Sequence, residues 1–301
     1  MIARALAIAV AIIGLGDAVR AAEPMFSTVA GHGGLPLNVI ETGNAEGPAI
    51  LFIHGMAMGL QSFRPQFESD LAKRFRIVAF DLRGHGNSGK PWRPEDVQPA
   101  DVWADDVAAV IAAKGLKKPV VVGWSYGGFV AADYFRKYGV SGIAGFNLVA
   151  SIAGLVPQPP PIGNIPPEEL KRRAAMQTSG NLLDNLAVVE ATVKLFEFPG
   201  MVPEYRDQMY ALGAMLPAYM RRAFVGRNLD HQDVTPKLDL PILVTMGSRD
   251  LAQGREPFDR LRAALPKASY SVYEGVGHLP FAEDPDRFNR ELAAFVDRVN
   301  R

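Results

Sequence analysis

Three observations predict an α/β protein built on a mostly parallel sheet. Short apolar runs of strand length alternate with segments of helical periodicity along most of the 301-residue chain. The runs are apolar throughout rather than at every second position, which is typical of parallel strands buried on both faces. The alternation is interrupted once, by a proline-rich stretch followed only by helical patterns. We therefore expect one α/β unit with a helical insertion, and we find no internal repeat.

The first 22 residues have the order of a secretory signal peptide. One basic residue, Arg4, precedes an apolar stretch from Ala5 to Leu15, and small residues follow around Ala21 and Ala22. The stretch is shorter than the roughly 20 residues that span a bilayer, and no cysteine is present to carry a lipid anchor. We expect cleavage near Ala21 or Ala22, export to the periplasm or the medium, and no stable membrane anchor afterwards. A buried N-terminal helix is the alternative.

The predicted elements alternate along the first half of the remaining chain. Two strands, 25–30 and 35–42, are expected to pair antiparallel around a glycine-rich turn. After them we expect strands at 49–53, 76–80, 120–124 and 143–149, and helices at 61–74, 102–113 and 129–138. The carboxyl ends of parallel strands meet at one edge of a sheet, where open α/β sheets bind ligands.

The second half begins with the interruption. Six prolines between residues 157 and 167 exclude a helix interior or a central strand there. Residues 168–230 have helical patterns only, before strands at 242–246 and 270–273 and a final amphipathic helix at 285–299. The expected organisation is therefore a signal peptide at 1–22, a core at 23–151 and 236–301, and a helical insertion at 152–235.

Composition and charge exclude several classes of function. The chain has 32 Lys and Arg residues and 32 Asp and Glu residues, so no net positive charge attracts nucleic acid or an anionic membrane surface. The absence of cysteine excludes disulfides, thiol nucleophiles and cysteine metal sites. The oligomeric state is not predicted by these residues.

A serine lies at the turn between a predicted strand and the helix after it. The segment Gly-Trp-Ser-Tyr-Gly-Gly, residues 123–128, places Ser125 in a GxSxG arrangement. A nucleophile on such a sharp turn leaves no room for side chains two positions away on either side, which is why both flanking positions are glycine. The alternative is a tight glycine turn with an incidental serine.

Two further residues follow the last two predicted strands and complete a catalytic set. A serine hydroxyl needs an imidazole to accept its proton, and the imidazole needs a carboxylate to hold its tautomer. Asp250 and His278 occur in this chain order after Ser125, each beyond a strand of the same sheet. They are therefore the predicted acid and base, although a solvated turn aspartate and a surface histidine remain alternatives.

The loop after the third strand is the predicted second half of an oxyanion hole. Its small residues would let the backbone N–H of Met56 approach a substrate oxygen together with that of Tyr126. His54 is expected chiefly to pack and hydrogen-bond beneath this loop. The residues expected to border the substrate pocket are His54, Met58, Trp124 and Leu279.

The segments HGMAMG, DLRGHGNS, GWSYGG, GSRD and GVGHLP, in this order, resemble the α/β-hydrolase superfamily, in its esterase, haloperoxidase-like and carbon–carbon hydrolase group. The resemblance covers about residues 25–155 and 236–300. It implies an eight-stranded, mostly parallel sheet flanked by helices, with a helical lid inserted after the sixth strand. It also implies Ser125 as nucleophile, His278 as base, Asp250 as its orienting acid, oxyanion amides at Met56 and Tyr126, and no metal or organic cofactor.

The expected activity is hydrolysis of small to medium apolar carboxylic esters through an acyl-enzyme on Ser125. Serine at this position argues against relatives with dehalogenase or epoxide hydrolase chemistry, which use aspartate there. Lactonase, carbon–carbon bond hydrolase and perhydrolase activities use the same triad and remain open, as does a non-catalytic ligand-binding protein on this fold. Phe196, Phe198, Tyr210 and the methionines of the insertion suggest an apolar pocket, unless they only hold the insertion together.

Overall fold

The computed structural model describes residues 22–157, 167–250 and 256–301. The predicted signal peptide lies outside the described residues except for Ala22, which begins the first strand. No helix in the described part of the chain is both long and apolar enough to cross a membrane.

A mixed sheet of eight strands forms the centre of the described residues. Its order is β1-β2-β4-β3-β5-β6-β7-β8, with β1 and β2 antiparallel to their neighbours and the other strands parallel. The predicted sheet is therefore confirmed, including its antiparallel first pair. The strands are β1 (Ala22–Ala30), β2 (Pro36–Gly43), β3 (Ala49–Ile53), β4 (Arg76–Phe80), β5 (Val120–Trp124), β6 (Gly145–Val149), β7 (Ile242–Gly247) and β8 (Ser269–Tyr273).

Helices cover both faces of the sheet, and four of them form the insertion between β6 and β7. In the described residues the helices are α1 (Arg64–Phe67), α2 (Leu71–Arg74), α3 (Ala100–Ala113), α4 (Tyr126–Tyr138), α5 (Pro167–Thr178), α6 (Leu182–Phe196), α7 (Pro203–Ala214), α8 (Ala218–Phe224), α9 (Glu256–Ala264), α10 (Pro280–Glu283) and α11 (Pro285–Val299).

The central strands divide their side chains between two hydrophobic layers. In β5, Val121 belongs to the layer formed with α3, α4 and α9, whereas Val122 belongs to the layer formed with α1, α2, α10 and α11. All five residues of β3 and of β5 are buried. Because strand side chains alternate between faces, only a strand covered on both sides has such a continuous apolar run, which explains why these strands were recognisable in the sequence.

The predicted helix at 61–74 is wrong as a single element. The structure has a short 3₁₀ segment at Leu60–Phe63, followed by α1 and α2 as separate turns. The Ser69 hydroxyl donates to the Gln66 carbonyl and accepts from the Leu71 amide, so it replaces helical hydrogen bonds at the break. The sequence pattern also missed α9, which has only nine residues.

A buried ionic cluster joins the end of the insertion to α4. The Asp133 carboxylate, whose side chain is fully buried, contacts the Arg227 guanidinium and accepts a hydrogen bond of 2.7 Å from His231 Nε2. Arg227 also contacts the Tyr126 hydroxyl, and its guanidinium lies 4.4 Å from the ring centre of Trp103. The segment that leads from α8 back to β7 is thus held against the core next to Ser125.

Two histidines are buried beyond β3 and β4: His54 directly follows β3, and His85 lies in the loop after β4. The ring centres of His54 and His85 are 5.2 Å apart. His54 Nδ1 donates to the Gly55 carbonyl, and its Nε2 accepts from the Leu82 amide at 2.9 Å. Burial lowers the pKa of His54 to about 4. For His85, burial and the nearby His54 together lower the pKa to about 3. Both rings are therefore neutral in the folded protein at neutral pH.

We expect Asp133→Asn to lower the free energy of unfolding by about 3–5 kcal/mol, because the buried Arg227 cation would lose its carboxylate partner. Urea unfolding followed by circular dichroism measures the change. The matched control is Asp233→Asn, which removes the partly exposed Arg136–Asp233 pair and should cost less than about 1 kcal/mol. Equal losses in the two variants would contradict the role given to the cluster.

We expect the fold to lose stability between pH 7 and pH 5. An unfolded histidine has a pKa near 6.5, so the unfolded chain binds more protons in this range than the folded chain, in which His54 and His85 stay neutral. Lowering the pH from 7 to 5 should therefore lower the free energy of unfolding by about 1–2 kcal/mol for each of these histidines. Urea unfolding at pH 7 and pH 5 tests this, and His54→Gln should show the smaller fall. An equal fall in wild type and variant would refute the assignment.

Candidate active site

Ser125 occupies a strained turn between β5 and α4. Its backbone has φ 51° and ψ −117°, a conformation that residues with a side chain rarely adopt. Its amide donates to the Val149 carbonyl of β6 at 2.9 Å, which holds the turn at the carboxyl edge of the sheet. The turn leaves Ser125 on the wall of a cavity rather than inside the hydrophobic layers.

The glycines around Ser125 are required by close approach of the backbone. A Cβ on Gly127 would lie 2.1 Å from the carbonyl oxygen of Ile53, and a Cβ on Gly123 would lie 2.9 Å from that of Gly127. Gly55 is also close, since a Cβ there would lie 3.2 Å from the Cβ of Ser125. The loop after β3 thus packs directly against the serine.

Asp250 and His278 are paired beside this turn. Asp250 follows β7 and His278 follows β8, and Nδ1 of the imidazole lies 2.9 Å from each carboxylate oxygen of Asp250. Both residues are buried, with exposures of 6% and 3%. Since Nδ1 donates to the carboxylate, Nε2 is the nitrogen that remains to accept a proton.

Ser125 and His278 line the same cavity, whose volume is about 450 Å³. No hydrogen bond joins the Ser125 hydroxyl to any described residue, and such bonds are often long before substrate binds. The described residues of the wall that come from the core are Met56, Ala57, Ser125 and His278, and those that come from the insertion are Ala174, Gln177, Thr178, Val188, Val189, Thr192, Leu195, Phe196, Gly213, Leu216, Arg221, Phe224 and Val225.

Two backbone amides beside Ser125 are available as donors. Tyr126 is the first residue of α4, so its amide has no partner within the helix. Met56 lies in the cavity wall, and its amide has no acceptor in the described part of the chain. The Tyr126 side chain points away from the cavity, because its hydroxyl contacts Arg227 in the buried cluster.

The expectation that His54, Met58, Trp124 and Leu279 border the pocket is wrong. Each has an exposure of 0%, and none lies in the cavity wall. The Trp124 indole donates to the His278 carbonyl at 2.9 Å, and His54 is engaged with backbone groups on both ring nitrogens. Met58, Trp124 and Leu279 pack in a hydrophobic layer beneath the loops of the site, and His54 is held there by its two backbone partners.

Most of the cavity wall comes from residues that the sequence analysis did not single out. Phe196 does lie in the wall, and its ring stacks on the His278 imidazole with centres 5.0 Å apart and planes 18° apart. Phe198 and Tyr210 are absent from the wall and instead pack against the hydrophobic layer that also contains Phe196. The wall residues of α6 recur at spacings of one, three and four, which is the one signal that could have marked this face: 188, 189, 192, 195 and 196.

In the described part of the chain, no group of three His, Asp or Glu side chains is placed to hold a metal ion. The structure instead places a serine hydroxyl, a carboxylate-paired imidazole and two free backbone amides around one largely apolar cavity. Such a set can transfer an acyl group without any other reagent than water.

Several known proteins are similar to this chain over most of its length. A bifunctional esterase/perhydrolase from Acinetobacter calcoaceticus is 26% identical over 267 residues, covering 84% of this chain and 93% of that protein. A non-heme haloperoxidase from Rhodococcus erythropolis is 27% identical over 265 residues, which cover 83% of this chain and 93% of that protein. The crystal structure of the esterase RhEst1 from Rhodococcus sp. ECU1013 matches this fold with a TM-score of 0.79 and 27% sequence identity. The match covers 91% of this chain and 99% of that chain.

A family model described as the alpha/beta hydrolase family matches residues 50–291. The match includes β3, the Ser125 turn, the insertion and the loops that carry Asp250 and His278. By this match and by its sheet, the chain belongs to the alpha/beta hydrolase family.

Proposed function

We propose that this protein is a serine esterase that cleaves carboxylic esters through an acyl-enzyme on Ser125. The observation that carries the proposal is that the strained Ser125 turn and His278, whose imidazole is paired with the buried Asp250, line one cavity. Backbone strain of this kind persists only where the surrounding structure enforces it, and it is concentrated at active sites. The strain at Ser125 therefore favours a reactive serine over a serine that only forms part of a turn. The esterases among the similar proteins support the same reaction.

In the first half of the reaction, Ser125 Oγ attacks the ester carbonyl carbon while His278 Nε2 accepts the hydroxyl proton. The negative charge that develops on the carbonyl oxygen is stabilised by the amides of Met56 and Tyr126. Asp250 holds the imidazole through Nδ1 and stabilises the cation that forms. His278 then gives the proton to the departing alcohol, which leaves the acyl group on Ser125.

In the second half, water attacks the acyl-enzyme. His278 accepts a proton from the water, the same amides stabilise the second oxyanion, and the proton returns to Ser125 as the acid leaves. The chain therefore ends the cycle unchanged, with no metal or organic cofactor in any step.

The cavity supports an ester of small to medium size. A volume of about 450 Å³ lies in the usual range of small-molecule sites. Its wall is largely apolar, with valines, leucines and phenylalanines of α6, of α8 and of the segments that flank α8, so the hydrocarbon part of the substrate would contact the insertion. In this proposal the insertion is a lid that covers Ser125. The predicted signal peptide at residues 1–22 directs export, so the protein acts outside the cytoplasm.

We expect Ser125→Ala to lower kcat for p-nitrophenyl butyrate by at least about 10⁴-fold, because the acyl-enzyme can no longer form. A fluorescent alkylphosphonate should label wild type and fail to label the variant. Ser69→Ala serves as the control, since this serine lies between α1 and α2, away from the cavity. If wild type labels no better than Ser125→Ala while both are folded, the serine hydrolase proposal is wrong.

A further inference from the structure

Arg221 is a buried cation in the wall of the candidate active site. It lies on α8, has an exposure of 8%, and lines the cavity that also holds Ser125 and His278. The described wall contains no Asp, Glu or Lys. A single guanidinium therefore provides the fixed charge of a wall that is otherwise mostly apolar.

Arg221 differs from the other buried arginines in having no carboxylate partner. Arg83 is paired with Asp106 at 2.7 Å, and Arg227 is paired with Asp133. In the described part of the chain no carboxylate lies within ion-pair distance of Arg221. Burial lowers the pKa of its guanidinium, and no neighbouring negative charge acts against this shift.

The guanidinium is nevertheless held in place by neutral acceptors. One terminal nitrogen donates to the Asn185 side-chain oxygen on α6 at 2.7 Å, and the other donates to the Gly213 carbonyl on α7 at 3.1 Å. These bonds use two of the five N–H groups that an arginine carries. They fix the position of the cation between three helices of the insertion and leave donors for a ligand.

Burying an unpaired charge is costly, and a protein normally supplies the opposite charge, as it does for Arg83 and Arg227. Where the protein does not supply it and the cation faces a cavity, a ligand can. A guanidinium binds a carboxylate through two parallel hydrogen bonds. One guanidinium balances one negative charge, which favours a carboxylate over a phosphate dianion.

We propose that the natural substrate is an ester that carries one carboxylate, and that Arg221 binds this carboxylate while the ester carbonyl lies at Ser125. The inference rests on the esterase function proposed above. It narrows the expected apolar ester to one with an apolar middle and an anionic end. The carboxylate belongs either to the acid part or to the alcohol part of the ester, and the substrates below separate these two cases.

The test compares each charged ester with a neutral amide of the same shape. Monomethyl adipate and the methyl ester of adipic acid monoamide place the group on the acyl side, and 4-acetoxybutanoate and 4-acetoxybutanamide place it on the alcohol side. We expect wild type to prefer the carboxylate over the amide by at least about tenfold in kcat/KM for one of the pairs, as a charge-assisted hydrogen bond provides. That pair identifies the side.

Three variants separate Arg221 from general effects of charge. Arg221→Met should reduce the carboxylate preference to about one or less. Asn185→Asp, which gives Arg221 a carboxylate within the protein, should reduce the preference as well and remains informative if Arg221→Met does not fold. Arg222→Met is the matched control: it removes the same charge from the next residue of α8, which is exposed and outside the cavity wall, and should keep the preference.

The outcomes distinguish this inference from the proposed function. If wild type hydrolyses neutral esters and shows no carboxylate preference in either pair, or if the preference survives in Arg221→Met or Asn185→Asp, the role of Arg221 is refuted and the esterase stands. If no ester is hydrolysed and Ser125 is not labelled, the esterase proposal itself fails, and the substrate inference fails with it. Calorimetric binding of the preferred ester, monomethyl adipate or 4-acetoxybutanoate, to Ser125→Ala supports Arg221 independently of turnover if it is lost in Ser125→Ala with Arg221→Met, and equal binding to both variants contradicts it.

Discussion

The backbone of Ser125 is the constraint on which the rest of the site depends. A positive φ at a residue with a side chain is held only if the surrounding chain enforces it. Three features enforce it here: the hydrogen bond from the Ser125 amide to β6, the helix that starts at Tyr126, and the glycines at 123 and 127. The close approach that these glycines allow brings the loop after β3 into contact with Ser125, so the serine lies against the loop that carries the free Met56 amide.

The core and the insertion contribute different things to the cavity. The core supplies Ser125 and His278 from loops at the carboxyl ends of its strands, and buried side chains such as His54 and Trp124 hold those loops from beneath. The insertion supplies most of the surface that a substrate would touch, including Phe196 on the imidazole. Because the Asp133 cluster ties the end of the insertion to α4, the two contributions meet at a defined place.

The buried arginines show how the same side chain acquires different roles. Arg83 and Arg227 have their carboxylates within the protein, and both join segments that are distant in sequence. Arg221 is fixed by neutral groups and faces the cavity. A cation that is satisfied inside the protein contributes to the fold, whereas one that is held without a counter-charge is available to a ligand. This contrast is the reason that the proposed substrate has an apolar middle and one anionic end.

The sequence by itself determined the alternation of strands and helices, the position of the insertion and the turn at Ser125, because these depend on local patterns of apolar residues, prolines and glycines. It also identified Asp250 and His278 by their places after strands of one sheet. Only the tertiary structure decided which side chains reach the cavity, since Met58, Trp124 and Leu279 pack into a hydrophobic layer and His54 binds backbone groups. Residues of α6 and α8 instead line the cavity with Ser125. Arg221 and Arg222 are adjacent and chemically identical, yet one is buried in the cavity wall and the other exposed, because burial depends on packing between helices distant in sequence.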